Sequence, residues 1–531
     1  MREAAPNEEG FSQMMIKILD RAGPACRLAA KLIAMIVAVS LFGSGGHAQD
    51  LKTGKLRVAI LFDIHNFDPQ QFSGVNFPLI KNFYDSLIEY TPAGDAVPSL
   101  ATSWTIAPDN RSVTVTLRKD VVFHSGAPMD ATAVAATYKK AADPLKGKSV
   151  YATMSIVRDW VVNDPSTITI NFKNPVPDRQ ITDLLQFTSV IDPSVIDTVE
   201  TKPSGTGAYV FAERMLSQRV RMVANPRYWR AGQPATSEIT LLVFSDNEAA
   251  AAALQSGTVD MIYGVNARYA ARLRGAGYQL IQGPGQLIQV FRINTTRGPF
   301  RNEKFRQAFN YLMDRESMLR VGYSGLGEVT ALPWASASPA YDKSYNTTYA
   351  FNLDKARELL KASGLSQAEM NDWKFVVDGG DQDVIAISQI VQSTLAKVGI
   401  TVAFDIRQGS DLIEVTNNGN FGGIFRGIGN VQKFPTRLAT NSIYRTSRNA
   451  ILGEPHPHPA YVAAMNRVDA TLGTGAEVKA AYDNLNKALA EAAFGIPTTT
   501  YDIGMIIAAK NLGGFTLEID NMLVGRTIGF R

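Results

Sequence analysis

The chain has little of what most covalent and metal chemistry needs. Its 531 residues include one cysteine, Cys26, and five histidines. A lone cysteine excludes a disulfide-stapled scaffold. No charge of one sign accumulates either: 53 basic residues stand against 49 acidic ones, far from the density of a dedicated nucleic-acid binder. There is no glycine period, and 45% hydrophobic with 19% charged residues excludes general disorder. Low-complexity tracts and repeats are missing. What remains is an ordinary globular composition in a chain too long for one core, so two or three lobes are expected.

Long apolar runs are also missing, with one short exception. Leu32 to Phe42 reads LIAMIVAVSLF, eleven residues, where a membrane span takes about 20. Lys17, Arg21, Arg27 and Lys31 precede it, and GSGGHAQD follows. A basic n-region, a short apolar core and a small-residue exit describe a cleavable secretory signal over 1–48, cut after Ala48. Glu3, Glu8 and Glu9 are foreign to such an n-region, and a start at Met14 or Met15 would remove them. Cys26 lies before the apolar run, so it is no lipid-attachment cysteine, and it leaves with the leader. The mature chain is then free of cysteine, which suits an oxidising compartment. The expectation is a protein free in the periplasm.

The remainder alternates short strands with capped helices, an α/β pattern. SVTVTL from Ser112 puts Val113, Val115 and Leu117 on one face of a half-buried strand. Asp130 caps the helix that follows. Ser245 and Glu248 read as a capping box before an alanine-rich helix that stops at Gly257. Val384, Ile387, Val391, Leu395 and Val398 form one helical apolar face ending at Gly399. ITVAFDI then predicts a strand with Ile400, Val402, Phe404 and Ile406 on a single side. A further helix runs from Asn352 to Gly364. Helix followed by parallel-type strand, in separate halves, predicts a cleft between lobes.

An enzyme reading finds little support. GYSGLG around Ser324 misses the spacing of a nucleophile elbow, and no phosphate loop or dinucleotide fingerprint occurs. DGGDQD, Asp378 to Asp383, offers three carboxylates but departs from a calcium loop and reads as a strand-to-helix turn. His456 and His458, in EPHPHPA, read as an exposed loop; two imidazoles without a third ligand make a weak metal site. No catalytic residue, metal site or cofactor is called for.

Several segments together resemble a known family. NFYDSLIEYTPAGDAVPSLATSWTIAPDN, TLRKDVVFHSGAPMDATAV, PSGTGAYVF, NPRYWRAG and NEAAAAALQSGTVDMIY are similar, in order, to family five solute-binding proteins. These are the dipeptide-, oligopeptide- and nickel-binding proteins of ABC importers. The similarity continues through INTTRGPFRNEKFRQAFNYLMDRESML, NLDKARELLKASGL and QIVQSTLAKVGITVAFDI. It implies a large periplasmic-binding-protein type II fold, two α/β lobes joined by a hinge, plus an extra domain. The implied division is 50–90, 196–297 and 496–531 for lobe I, 91–195 for the extra domain and 298–495 for lobe II. The implied function is a monomeric, non-enzymatic receptor that closes over a peptide or other small solute and is met by permease subunits of an ABC importer. A metal-chelate receptor, resting on His456 and His458, is the alternative; a periplasmic chaperone or enzyme on the same fold is a further one.

Ligand-contact positions are implied by the same resemblance. FSGVNFP nominates Gly74, Val75 and Asn76, and KSVYATM nominates Tyr151. In the loop where peptide-binding relatives carry an aromatic residue and then an amine-pairing aspartate, this chain reads GIFRGIGNVQKFPTRL. Phe425 matches the aromatic residue, while Ile428 or Asn430 replaces the carboxylate, and Arg426 and Gly427 lie between. A buried ammonium without a counter-charge is costly. The surroundings are instead basic, with Arg426, Lys433, Arg437, Arg445 and Arg448 and no Asp or Glu from 415 to 453. Arg426 is therefore expected to meet an anionic ligand group.

Overall fold

The computed structural model describes residues 54–71, 76–91, 94–283, 285, 287–336, 338–429, 434–446, 449, 451–502, 504–517 and 525–531. The leader, Gly74, Val75, Asn430, Lys433 and Arg448 lie outside the described residues.

Three sheets organise the chain. The first has seven strands in the order 279–281, 506–508, 261–263, 55–60, 238–243, 219–224 and 209–215. Lys55–Ile60 runs parallel to both its neighbours. Leu56, Val58, Ile239, Leu241, Val220 and Met222 alternate into the core on one of its faces. The helix Asn247–Gln255 follows, capped by the Asp246 carboxylate, which accepts from the Ala249 amide at 2.8 Å. The cap is thus one residue beyond Ser245, whose hydroxyl supports Asp246 instead. Glu248 is not part of a capping box: it points outward and pairs with Arg272 at 3.1 Å.

The second sheet has six strands in the order 328–329, 495–501, 287–293, 423–429, 375–378 and 404–407. Phe375–Asp378 runs parallel to both neighbours. The helix Gln382–Ala396 between its parallel strands buries Val384, Ile387, Val391 and Leu395 as the periodicity predicts. Asp381 caps it, so DGGDQD is the strand-to-helix turn. The strand after Gly399 is shorter than expected, Phe404–Arg407. Ile400 and Val402 are buried, but Ile406 is 60% exposed. Its strand is the sheet edge, and only one of its two flanks is packed.

The third sheet is antiparallel, with strands 101–106, 112–117, 167–172 and 157–164 side by side. It has its own core, in which Val113, Val115, Ile168 and Ile170 pack on Val134, Tyr138 and Leu184 of the helices Ala131–Ala141 and Asp178–Phe187. Asp130 caps the first of these, accepting from the Ala133 amide at 2.9 Å.

NPRYWRAG is a structural knot. The buried Asp85 carboxylate accepts from Trp229 Nε1 at 3.0 Å, the Tyr228 hydroxyl at 3.1 Å and the Thr206 hydroxyl at 2.9 Å. Arg118 and Arg230 lie over the Trp229 ring, at 4.4 and 4.3 Å from its centre.

The chain crosses between the first two sheets twice, from Ile281 to Leu287 and from Tyr501 to Ile506. The two crossings meet at Asp502, whose carboxylate accepts from Gly504 N at 2.7 Å and Gly283 N at 3.3 Å. Both strands at these crossings, Leu287–Ile293 and Gly495–Tyr501, pair within the six-stranded sheet. Two adjacent connections between the sheets are the arrangement that permits hinge motion, and Ala59, Ile262 and Ile507 of the first sheet share a buried cluster with Phe291, Phe375 and Phe425 of the second.

Candidate functional site

Open α/β sheets bind ligands in crevices beyond the C-terminal ends of their parallel strands. Here the C-terminal ends of Phe375–Asp378 and Gly423–Gly429 meet the crossing end of Leu287–Ile293, since Leu287 pairs with both Gly429 and Tyr501. A cavity of about 450 Å³ opens at this corner, bordered by Gln289, Asp378, Asp381, Arg426, Gly427 and Tyr501. Its volume falls within the range of small-molecule sites.

Sheet register explains the charge pattern. Phe375 pairs with Gly423 and Val376 with Ile424, so Asp378 comes level with Arg426. The Arg426 guanidinium lies 3.4 Å from the Asp378 carboxylate, with both side chains partly exposed. The basic stretch is therefore opposed in space although no acid occurs in it: the acids arrive from another strand. Asp381 accepts from the amides of Asp383 and Val384. The neighbouring Asp383 carboxyl is pushed up to about 6, by burial first and by Asp381 second, against the pull of Arg268. Arg268 belongs to the helix Ala267–Gly275 on the seven-stranded sheet, so the two sheets' layers sense one another here. Arg292 is drawn down to about 10, chiefly by burial, with Tyr444 opposing and the charge of Arg426 adding; it donates to the Gly427 carbonyl at 3.1 Å.

Gly427 has a role that only a missing side chain fills. A Cβ there would meet the Tyr501 hydroxyl at 3.2 Å, narrowing the cavity. Tyr501 stacks on Tyr323 at 4.7 Å, and its hydroxyl is pushed up by burial and by Asp381 and Asp383. Phe425 borders the cavity, but it is 1% exposed and packs edge-on against Phe291 at 5.0 Å. Ile428 is likewise buried.

The other nominated residues lie elsewhere. Asn76 is half-buried at the start of the short helix Phe77–Ile80, and Tyr151 is exposed on the helix Lys148–Met154. Neither borders the cavity. Thr153 on that helix receives a hydrogen bond of 2.9 Å from Arg437, whose guanidinium covers the Phe187 ring at 4.8 Å. The four-stranded unit therefore touches the segment following the Gly423–Gly429 strand, and Arg437 is occupied in that contact. Arg445 is exposed.

The expectation of an exposed EPHPHPA loop is overturned. His456 and His458 are each 9% exposed. The His458 ring stacks on Phe494 at 4.8 Å and 9°, and its Nε2 lies 3.1 Å from the Thr295 hydroxyl. Thr295 follows the far end of Leu287–Ile293, so these histidines sit at the opposite end of the sheet from the cavity. His456 packs on Tyr461 at 5.6 Å and on Phe494 at 5.8 Å, so ring contacts hold the segment against the core. Among the described residues, no three His, Cys, Asp or Glu side chains are grouped to hold a metal, and no helix is long and apolar enough to cross a membrane.

Two α/β sheets, two crossings between them and a charged cavity beside those crossings define a type II periplasmic-binding-protein fold. The chain belongs to the bacterial extracellular solute-binding proteins, family 5, whose middle-region description matches residues 95–449. Among curated relatives, the "Glutathione-binding protein GsiB" of Salmonella paratyphi A is 29% identical over 328 residues, covering 60% of this chain and 63% of that protein. The match thus spans less than two thirds of that relative's length. The solved structure of the "ABC Transporter Substrate Binding Protein CtaP" from Listeria monocytogenes superposes with a TM-score of 0.79 at 19% identity, over 90% of this chain and 99% of that one. NikA from Brucella suis, "in complex with Fe(III)-EDTA", superposes with a TM-score of 0.77 at 24% identity, over 90% and 100%. At these identities the superpositions establish the fold.

Proposed function

We propose that the chain is the solute-binding receptor of an ABC importer, exported by the signal over 1–48 and working in the periplasm. It takes a small peptide or amino-acid-derived solute into the interlobe cleft and delivers it unchanged to permease subunits. The observation that carries this reading is the cavity beside the two crossings, where groups of both signs converge on a space of ligand size. Family membership and a glutathione-binding relative support it. We place the lobe boundaries at the crossings themselves, so that 287–297 and 496–501 join the second lobe; the extra domain remains 91–195. Arg426 meets an anionic group of the ligand, exchanging its Asp378 partner for it.

The test is mass spectrometry of solutes that co-purify after gentle extraction, followed by titration calorimetry with those solutes and with glutathione. Saturable one-to-one binding with the solute recovered intact is expected. Conversion of the solute by the protein alone, or no saturable binding, overturns the proposal. Unchanged affinity in Arg426→Ala removes that residue from the site.

A further inference from the structure

Resting on that reading, we infer that Asp378 and Asp381 hold a ligand ammonium group while Arg426 holds a carboxylate on the same carbon, so that the cavity selects a free α-amino-acid end.

The loop that should supply an amine-pairing carboxylate carries Ile428, which is buried and apolar. Carboxylates nevertheless border the same cavity, from the turn after Phe375–Asp378. Asp378 is held by the Gly380 amide at 3.0 Å and faces Arg426 at 3.4 Å. Asp381 is fixed by its capping bonds to two amides. Both carboxylates are thus oriented before any ligand arrives, which lowers the ordering cost of binding. An acid and a guanidinium side by side form a charge pair whose complement is another pair of opposite sign and similar spacing. An α-amino acid presents that pair: its ammonium and carboxylate share one carbon. A purely anionic ligand would have to displace Asp378 and leave it uncompensated, and a purely cationic one would do the same to Arg426.

A second, independent feature points to an occupant. Gln289 is 1% exposed, and its side-chain Nε2 has no hydrogen-bond partner among the described residues. It borders this cavity. A buried amide N–H left unpaired is costly, and a ligand acceptor in the cavity would relieve it. Gly427, by carrying no side chain, leaves space beside Tyr501 for that approach.

Calorimetry with glutathione and γ-glutamyl-alanine, each alongside its N-acetyl form, tests the inference. These probes carry an α-amino-acid end that acetylation abolishes without changing the rest. Free-amine probes should bind at least tenfold more tightly than their acetylated forms. Asp378→Asn/Asp381→Asn should erase that preference: the free-amine forms lose their carboxylate partners, and the acetylated forms, which no longer displace a charged Asp378 from Arg426, bind no more weakly than before. Asparagine keeps the helix cap, and Asp381→Asn alone, with the Asp378–Arg426 pair intact, should lose part of the preference. Equal binding of free and acetylated probes, a preserved preference in the double variant, or capture only of solutes lacking an α-amine overturns the inference while the receptor reading stands. If neither these probes nor any co-purified solute binds, the receptor reading falls first and the inference with it.

Discussion

His458 should make the second lobe sensitive to mild acid. Its imidazole is buried between Thr295 and Phe494, and its pKa is lowered from 6.5 to about 3 by burial first, then by Arg306 and His456. In the unfolded chain the same ring titrates normally. Stability linked to this group is therefore whole above pH 6.5 and is lost as pH falls toward 3, because protons bind the unfolded state first. At pH 5 the unfolded ring is about 1.5 units below its midpoint, which corresponds to a loss of about 2 kcal/mol. His456, also lowered by burial, adds in the same direction. His458→Gln keeps a group able to bond Thr295 but cannot titrate. Urea unfolding followed by tryptophan fluorescence is suited to the assay, since Trp373 packs on Phe300 and Phe375 in this half of the molecule. Between pH 7.5 and 5.0 the parent should lose about 2 kcal/mol more than the variant. Parallel losses in the two proteins would refute the reasoning, whatever their absolute stabilities.

Two further outcomes are expected. Asp383→Asn should stabilise the protein at pH 7.5 and do so by only about a third as much at pH 4.5. The carboxyl's folded pKa of about 6 lies above its usual 3.8, so its ionisation penalty grows as pH rises through that window; solvent screening holds the gain to roughly 1 kcal/mol. Melting temperatures at the two pH values check this, and an equal shift at both would contradict it. Asp85→Ala leaves the Tyr228, Trp229 and Thr206 donors without their shared acceptor and should cost about 3 kcal/mol or more. Asp85→Asn, retaining one acceptor oxygen, should cost less; denaturant midpoints for both variants rank them.

Much of the local structure was legible because its causes are local. Asp130 and Asn352 announce helix starts through capping chemistry, and Val384 to Leu395 declare a buried face by spacing alone. Elements failed where a neighbour in space decided the outcome. Ile406 alternates correctly but lies on an edge strand. EPHPHPA is polar and proline-rich, yet Phe494, distant in sequence, draws His458 inward. Arg315 gave no signal at all: it is buried, and its guanidinium is consumed by the carbonyls of Asn310, Thr330, Tyr349 and Pro497.

The candidate site divides in the same way. Phe425, Arg426 and Gly427 stood out through resemblance to a family loop, and DGGDQD was visible as a turn rich in carboxylates. Nothing in the order of residues joined them. Asp378 meets Arg426 because two parallel strands, 48 residues apart in the chain, pair in one register. Gln289 and Tyr501 join them because the chain enters the second sheet at Leu287 and leaves it at Tyr501, at that corner. Sequence alone determined the α/β class, the family and the local elements, since propensity, capping and hydrophobic period act over a few residues. Only the tertiary structure decided which charges face one another, because Coulomb interaction and burial depend on distance through space, and strand pairing sets that distance.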